Sequence, residues 1–175
     1  MTAPRSLIIN SPYAVPVQHW QQARDAGYEI FDVRNNTRRT EPLDSTKQCQ
    51  PTRRSQISHM IADSSWEQYA ANLFDSSKQK RVDAYAKNDH LGFQIYYLWN
   101  GSRKRFVPDF LIRLTNGETL VLEIKGEDSE QNRAKRSALD AWVKGVNAKG
   151  GFGVWCWDVA FKEAQIHDII EKRAK

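Results

Sequence analysis

The segment FVPDFLIRLTNGETLVLEIKG constrains the fold more than any other part of this 175-residue chain. Near its end the residues alternate, as they do in a β-strand. Leu120, Leu122 and Ile124 fall on one face, and Glu123 and Lys125 fall on the other. The pattern therefore places a carboxylate and an ammonium group on the same face of one strand.

A tight turn joins this strand to the one before it. Asn116-Gly117 is typical of a two-residue type I′ hairpin, because both central positions of that turn need positive φ. Pro108 cannot donate a hydrogen bond to a strand ladder, so it belongs at the start or edge of a strand. We therefore expect the preceding strand to begin near Asp109 and to fold back beside Glu123.

The two carboxylates predict a metal site. At 4 Å, two like charges repel by about 1 kcal/mol in bulk water and by about 4 kcal/mol at an effective dielectric of 20. A divalent cation between Asp109 and Glu123 would remove this repulsion. A small set of hard oxygen ligands, with positions left for water and a substrate phosphate, describes a magnesium site. The alternative is an exposed hairpin on which Glu123 and Lys125 are simply solvated.

Pro108-Asp109, followed after thirteen residues by Glu123-Ile124-Lys125, resembles the signature of the PD-(D/E)XK nuclease superfamily. The resemblance implies an α/β fold with a restriction-endonuclease-like αβββαβ core, in which a mixed sheet is flanked by helices. It also implies that Asp109, Glu123 and the Ile124 carbonyl hold Mg²⁺, for which Mn²⁺ can substitute. Lys125 would then position the attacking water or help to deprotonate it, and would stabilise charge on the phosphate.

A second resemblance involves the segment SPYAVPVQHW. It is similar to the N-terminal edge of the large helicase-nuclease subunits related to type III restriction enzymes, which place a helicase motor before a C-terminal PD-(D/E)XK domain. The similarity covers residues 7–43 loosely and 64–175 well, with no room for the motor between them. It implies a role in restriction or anti-phage defence and a helicase or methyltransferase partner.

Composition and charge limit the partners and the location. The net charge of +5 and a pI near 9.2 favour polyanionic partners without proving one. Cys49 and Cys156 form neither a metal-ligand cluster nor a disulfide framework, so we expect a reducing cytoplasm. No apolar run approaches the ~18 residues of a membrane span, and no signal peptide is evident. The four scattered histidines suggest neither zinc binding nor nucleophilic catalysis.

The chain is expected to have two parts, an N-terminal extension with a basic linker over residues 1–56 and the nuclease domain over residues 57–175. The extension begins with LIIN, which predicts a short strand or extended arm. Residues 35–54 are polar and basic, as in a linker. Their arginines are either solvated or form an arm that follows phosphates, and both interpretations stay open.

A helix is predicted at the start of the nuclease domain, where SSWEQYAANLF has an apolar face at helical spacing. Glu67 has two interpretations. It either closes a capping box with Ser64, or it is the additional acidic residue that the resembled family often supplies from its first helix to reach the metal or orient water. We favour the second role.

The next segment, SKQKRVDAYAKN, predicts a second helix whose lysines, including Lys87, face solvent. A strand is then expected over residues 93–99, followed by an Asn100-Gly101 turn into the Asp109 strand. Two successive Asn-Gly hairpins predict a three-stranded antiparallel meander.

Basic residues near the motif are candidate DNA contacts. Arg103, Lys104 and Arg105 come just before Asp109 and could hold phosphate, although a solubilising turn explains each of them equally well. Lys135 could face the substrate from the helix that follows the motif. For Lys135 we favour a position on the outer face of that helix.

After the motif, a helix is predicted over residues 130–147, then a strand FGVWCWDV parallel to the preceding strand, and a closing helix EAQIHDIIEKRA. The residues expected on the buried face of the first of these helices are Ala134, Ala138, Ala141, Trp142 and Val146.

Together the sequence predicts a metal-dependent endonuclease that hydrolyses DNA. Two alternatives stay open, a catalytically inert module for DNA binding or end recognition, and a ribonuclease. Because cutting both strands of a duplex usually needs two active sites, a homodimer is also expected, although no interface pattern is evident.

Overall fold

A computed structural model describes residues 5–9, 28–32, 48–55, 57, 59–88 and 91–175. The chain forms two compact units. The first comprises Met1–Arg53 with Ile57–Asp63, and the second comprises Arg54–Gln56 with Ser64–Lys175. Every candidate site residue belongs to the second unit.

The described residues of the first unit form two small strand pairs. Strand β1 (Arg5–Ile9) pairs in parallel with β2 (Tyr28–Asp32), and β3 (Gln48–Pro51) pairs in antiparallel fashion with β4 (His59–Ala62). The strand predicted from LIIN is therefore confirmed. β3 falls within the stretch expected to be a polar linker, whereas SPYAVPVQHW lies outside the described residues.

The described part of the second unit contains six strands, which are β5 (Val82–Lys87), β6 (Ile95–Trp99), β7 (Ser102–Phe106), β8 (Phe110–Leu114), β9 (Glu118–Ile124) and β10 (Val154–Ala160). Four of them form one sheet in the order β10-β9-β8-β5. β8 is antiparallel to both β5 and β9, and β10 is parallel to β9. The predicted mixed α/β architecture is confirmed at this level.

Three helices accompany this sheet, α1 (Ser65–Asp75), α2 (Glu130–Lys149) and α3 (Glu163–Arg173). The Ser64 hydroxyl caps α1 by accepting the Glu67 amide at 3.2 Å, and Ser129 caps α2 through the Asn132 amide at 3.1 Å. All three predicted positions are confirmed. Among the described residues, no helix is both long and apolar enough to cross a membrane.

Among the described residues, apolar packing on α1 and on α2 holds parts of the unit together. The rings of Phe74 from α1 and Phe110 from β8 meet edge to face at 5.4 Å, and the Tyr85 ring lies 5.1 Å from Phe74. In the second cluster, Leu139 and Val143 of α2 pack with residues of β6, β7 and β9. Phe110 directly follows Asp109 and Val121 lies on the same strand as Glu123, so both clusters include residues close to the candidate site.

The buried face of α2 differs from its prediction in one respect. Ala141 is exposed, whereas Leu139 and Val143, which are four residues apart, are the fully buried residues of the helix. Ala134, Ala138 and Trp142 pack partly against the same cluster. Leu139 and Val143 are therefore the most buried residues of this face, and two of the predicted alanines lie beside them.

The helix predicted from SKQKRVDAYAKN is wrong, because residues 82–87 form strand β5. Val82 and Tyr85 are both buried although they are three residues apart, a spacing that suggests a helix. The structure explains this spacing by a bulge between Val82 and Ala84 in the pairing of β5 with β8. The extra residue breaks the alternation that would have indicated a strand.

The predicted meander is also wrong. β6 pairs with β7 as a separate two-stranded ribbon, which ends at Phe106, before Pro108. β5 instead takes the position beside β8. The two-residue turn of the ribbon is confirmed, because Asn100 and Gly101 have φ values of 49° and 71°.

The second Asn-Gly turn has a different geometry from the type I′ turn that was predicted. β8 ends at Leu114 and β9 begins at Glu118, so the loop has three residues. Gly117 has a φ of 87° and its amide donates to the Leu114 carbonyl at 2.9 Å, whereas Asn116 has no positive φ. The hairpin is confirmed, and its loop resembles a type I turn followed by a left-handed glycine.

Candidate active site

Strand register brings Asp109 and Glu123 together. Phe110 pairs with Leu122, and one further step along both strands places Asp109 opposite Glu123. The Asp109 Oδ2 atom accepts the Ile124 amide at 2.7 Å, and the Asp109 amide donates to Glu123 Oε2 at 3.3 Å. The two acidic residues thus hold each other's strand in place.

The Glu123 side chain is buried beside Lys125. Glu123 is only 3% exposed, and its Oε1 atom makes no hydrogen bond of good geometry. The Lys125 ammonium lies 2.6 Å from that oxygen as an ion pair. The alternative of a solvated hairpin required Glu123 to be exposed, and its burial contradicts that. A buried carboxylate also carries a desolvation cost that an exposed one avoids.

Burial shifts the pKa values of both carboxyl groups upward. Desolvation, assisted by the charge of Asp109, raises the pKa of Glu123 to about 7, although Lys125 opposes the shift. Desolvation also raises the pKa of Asp109, against the hydrogen bond from the Ile124 amide. For Lys125, burial lowers the pKa, but the charge of Glu123 and its neighbours outweighs that effect and the net pKa is raised. Burial is thus the main reason that the pKa values of both carboxyl groups are raised, and the Lys125 charge only partly offsets it.

A buried ion pair lies next to these carboxylates. Lys87 Nζ, at the end of β5, is 2.9 Å from Glu67 Oε2 on α1, and their side chains are 5% and 13% exposed. Both charges act on Asp109, since Lys87 lowers its pKa and Glu67 raises it. Glu67 thus lies near the predicted site. The prediction that Lys87 faces solvent is wrong, because it depended on the helix that β5 replaces.

Asn88 braces the chain where it enters the motif. Its side-chain amide donates to the Phe93 carbonyl at 2.8 Å and to the Pro108 carbonyl at 2.9 Å. Its backbone amide donates to the Asp109 carbonyl at 2.8 Å. Sequence reasoning missed this residue, and the signal was the polar pair Lys87-Asn88 directly after Tyr85 and Ala86.

Lys135 lies at the site and not on the outer face of α2. Its charge lowers the pKa of Glu123, and its Nζ atom is 5.5 Å from the centre of the Phe106 ring. A small cavity has among its lining residues Phe106, Glu123, Lys125, Asn132, Lys135 and Arg136. Asn132 and Arg136 were not predicted; both follow the Ser129 cap on the first two turns of α2.

The other predicted basic contacts lie on the ribbon. Arg103, Lys104 and Arg105 are exposed on β7, which ends at Phe106 beside the cavity. Arg54, from the predicted linker, has a role that neither interpretation anticipated. Its guanidinium donates to the Phe74 and Gln79 carbonyls, both at 2.8 Å, at the C-terminal end of α1.

The residues present fit a divalent cation. No group of three or more His, Cys, Asp and Glu side chains that could hold a metal occurs in the part of the chain that the structure describes. The predicted ligand set has only two such side chains, Asp109 and Glu123, and its third member is the Ile124 carbonyl. Both side chains carry carboxylate oxygens on neighbouring strands, which are ligands that a hard divalent cation takes, and a bound cation would favour their ionised forms.

Comparisons with known proteins give no independent assignment, because no family model, no curated protein and no solved structure matches the chain. A functional proposal therefore depends on the arrangement of the site itself.

The raised pKa of Glu123 predicts how stability depends on pH without metal. Between pH 4.5, its ordinary pKa, and about pH 7, the folded state retains a proton that the unfolded state has lost. The unfolding free energy should therefore fall across this window, by up to about 3 kcal/mol from this group. We expect urea denaturation to show the fall in the wild type with EDTA and to show much less of it in Glu123→Gln.

The matched control is Glu171→Gln, which neutralises an exposed carboxylate. Saturating Mg²⁺ should reverse the trend in the wild type, since the metal binds the ionised carboxylates. A difference between the wild type and Glu123→Gln that does not change over this pH range would contradict the assignment.

Proposed function

We propose that this protein is a metal-dependent nuclease that hydrolyses phosphodiester bonds in DNA. One observation carries the proposal, namely the buried Glu123 carboxylate opposite the half-buried Asp109 on the adjacent strand, with the Lys125 ammonium 2.6 Å from Glu123. Burying two acidic groups opposite each other costs stability, and perturbed carboxyl groups of this kind are concentrated at functional sites.

The carboxylates would serve as metal ligands in this mechanism. Asp109, Glu123 and the Ile124 carbonyl would hold Mg²⁺. When bound, the metal supplies positive charge and makes water far more acidic, so that no side-chain nucleophile is needed. The hydrogen bond from the Ile124 amide fixes the Asp109 carboxylate, and the Asp109 amide fixes that of Glu123.

Lys125 acts through its charge. Since its pKa is raised, the ammonium stays protonated at neutral pH and is suited to orient water and to stabilise negative charge that develops on a phosphate. It is not suited to act as a general base in this state. Lys135 adds a second positive charge near Glu123 and lines the same cavity as Lys125.

The order of elements also supports the proposal. Reading along the chain, α1, β5, β8, β9, α2 and β10 follow the order αβββαβ, with the β6–β7 ribbon inserted between β5 and β8. We propose that this is the restriction-endonuclease-like core, with Glu67 as its additional acidic residue.

The test is DNA cleavage by the purified chain. With Mg²⁺ or Mn²⁺, we expect nicking of at least one substrate among supercoiled plasmid, single-stranded circular DNA and branched DNA, and none with EDTA or with Asp109→Asn. A labelled RNA of matched sequence separates a ribonuclease from a deoxyribonuclease. Thermal unfolding provides a second measurement, because a metal at a hundredfold excess over its Kd should stabilise the fold by about 2.7 kcal/mol.

Two results would contradict the proposal. The first is the absence of cleavage with every substrate and both metals. The second is DNA binding that weakens steeply with salt while metal neither supports cleavage nor raises the Tm, which would instead indicate an inert binding module.

A further inference from the structure

The β6–β7 ribbon, residues 95–106, has two faces of different character. Pairs across an antiparallel ladder share a face, so Tyr96 with Arg105 and Leu98 with Arg103 lie on one side. Ile95 and Phe106 share the other side, where they pack into the cluster that contains Leu139 of α2. The side with Tyr96, Leu98, Arg103 and Arg105 is the outer face of the ribbon, and it points away from this core.

The outer face exposes apolar and aromatic surface that the fold does not use. Tyr96 is 48% exposed and Leu98 is 73% exposed, the highest value among the large apolar side chains described. The Arg103 guanidinium lies 3.9 Å from the centre of the Tyr96 ring, a cation–π contact that holds a positive charge at the edge of this surface. The face therefore combines an aromatic ring, an aliphatic side chain and two arginines.

Charge identifies the kind of partner. Residues 91–107 contain three basic residues and no Asp or Glu, so the ribbon favours a polyanion. Phosphate contacts alone would use the arginines and leave Tyr96 and Leu98 exposed to water. Unpaired bases have π-faces that stack on aromatic side chains and on arginine, whereas the bases of a duplex are stacked on one another.

The ribbon is bound to α2 and ends beside the candidate site. Tyr97, on the inner face, accepts a hydrogen bond from the Gln131 side chain of α2 at 2.7 Å. Phe106 ends β7 and lines the cavity that contains Glu123, Lys125 and Lys135. The Phe106 end of the ribbon therefore lies beside the cavity that Glu123 lines.

We propose that the outer face of the β6–β7 ribbon binds single-stranded DNA, with unpaired bases on Tyr96 and Leu98 and phosphates on Arg103 and Arg105. The inference names the substrate class and rests on the proposed nuclease function.

The test measures binding of a fluorescein-labelled twenty-nucleotide oligothymidylate by anisotropy, using the full chain in EDTA so that no cleavage can occur. Tyr96→Ala should weaken binding about tenfold, whereas Tyr96→Phe, which keeps the ring, should stay within about twofold of the wild type. An abasic strand of the same length keeps the phosphates but has no bases to stack on Tyr96. It should therefore bind to Tyr96→Ala and to the wild type with equal affinity, and to Arg103→Ala with lower affinity.

Phe152→Ala is the matched control, because Phe152 is 55% exposed and has the Lys149 ammonium 5.6 Å from its ring centre, yet it lies in the loop before β10. It should leave oligothymidylate binding unchanged. Each variant is first checked for an unaltered Tm.

Three results for Tyr96→Ala would overturn the inference. The first is an equal loss of affinity for the abasic strand and for oligothymidylate, and the second is a loss of affinity for duplex DNA alone. The third is unchanged DNA binding together with altered self-association in sedimentation. The last would reassign the face to a protein contact. The two proposals fail separately. If DNA binding depends on Tyr96 but the wild type never cleaves DNA, only the nuclease function is contradicted. If the wild type cleaves DNA and Tyr96→Ala leaves oligothymidylate binding unchanged, only this inference is contradicted.

Discussion

Lys125→Ala should lower Mg²⁺-dependent DNA cleavage about a thousandfold, the range expected when one preorganised charge is removed from a reacting centre. The ammonium lies 2.6 Å from Glu123 and its charge acts on Asp109 as well. Its removal should raise the pKa of both carboxyl groups further, because Lys125 lowers each of them. The measurement is the single-turnover rate on the substrate that the wild type cleaves best.

Metal binding separates the role of Lys125 from that of the carboxylates. Since Lys125 is not a metal ligand in the proposed mechanism, Lys125→Ala should keep the rise in Tm that Mg²⁺ produces above pH 7. Asp109→Asn should lose both that rise and cleavage. Lys144→Ala removes an exposed lysine that pairs with Asp140, and should change neither quantity. Cleavage by Lys125→Ala at the rate of Lys144→Ala would contradict the assigned role.

Lys87→Met should reduce the unfolding free energy by about 3–5 kcal/mol, because breaking a buried ion pair leaves the other charge in low dielectric. The Lys87 and Glu67 side chains are 5% and 13% exposed, so solvent screens them little. Urea denaturation at pH 7.5 measures the effect. Lys144→Met is the exposed counterpart and should cost less than about 1 kcal/mol.

A double variant distinguishes the charge effect from a packing effect. Lys87→Met with Glu67→Gln removes both charges and should recover most of the lost stability, since no charge is then buried without its partner. A double variant as unstable as Lys87→Met alone would assign the loss to packing of the lysine stem. If the double variant is stable but cleaves more slowly than the wild type, the pair contributes to the site as well as to the fold.

The motif hairpin could be predicted because its signals are local. Alternation along β9, Pro108 at the entry of β8 and the glycine at position 117 each act within a few residues, and together they set the pairing of Asp109 with Glu123. The caps of α1 and α2 are equally local, since Ser64 and Ser129 each bond an amide three residues ahead. These features depend on residues that are close in the chain, and they can therefore be predicted before the fold is known.

Strand β5 could not be predicted because two tertiary effects hide it. The bulge after Val82 gives its buried residues a helical spacing, and its strand form depends on hydrogen bonds to β8, whose residues come more than twenty positions later. Because this segment was predicted as a helix, Lys87 was expected to face solvent and no role was predicted for Asn88. A distant partner thus overrode the local propensity.

The sequence by itself determined the mixed α/β architecture, the hairpin that opposes two carboxylates and the lysine two residues further along the strand. Only the tertiary structure decided which strand lies beside β8, that the Glu67–Lys87 pair is buried near Asp109, and that Lys135 lies beside Glu123. The physical reason is distance along the chain. Hairpins and caps are stabilised by contacts over a few residues, whereas burial and the pKa shifts that follow from it arise when α1, β5 and α2 converge on one end of the sheet.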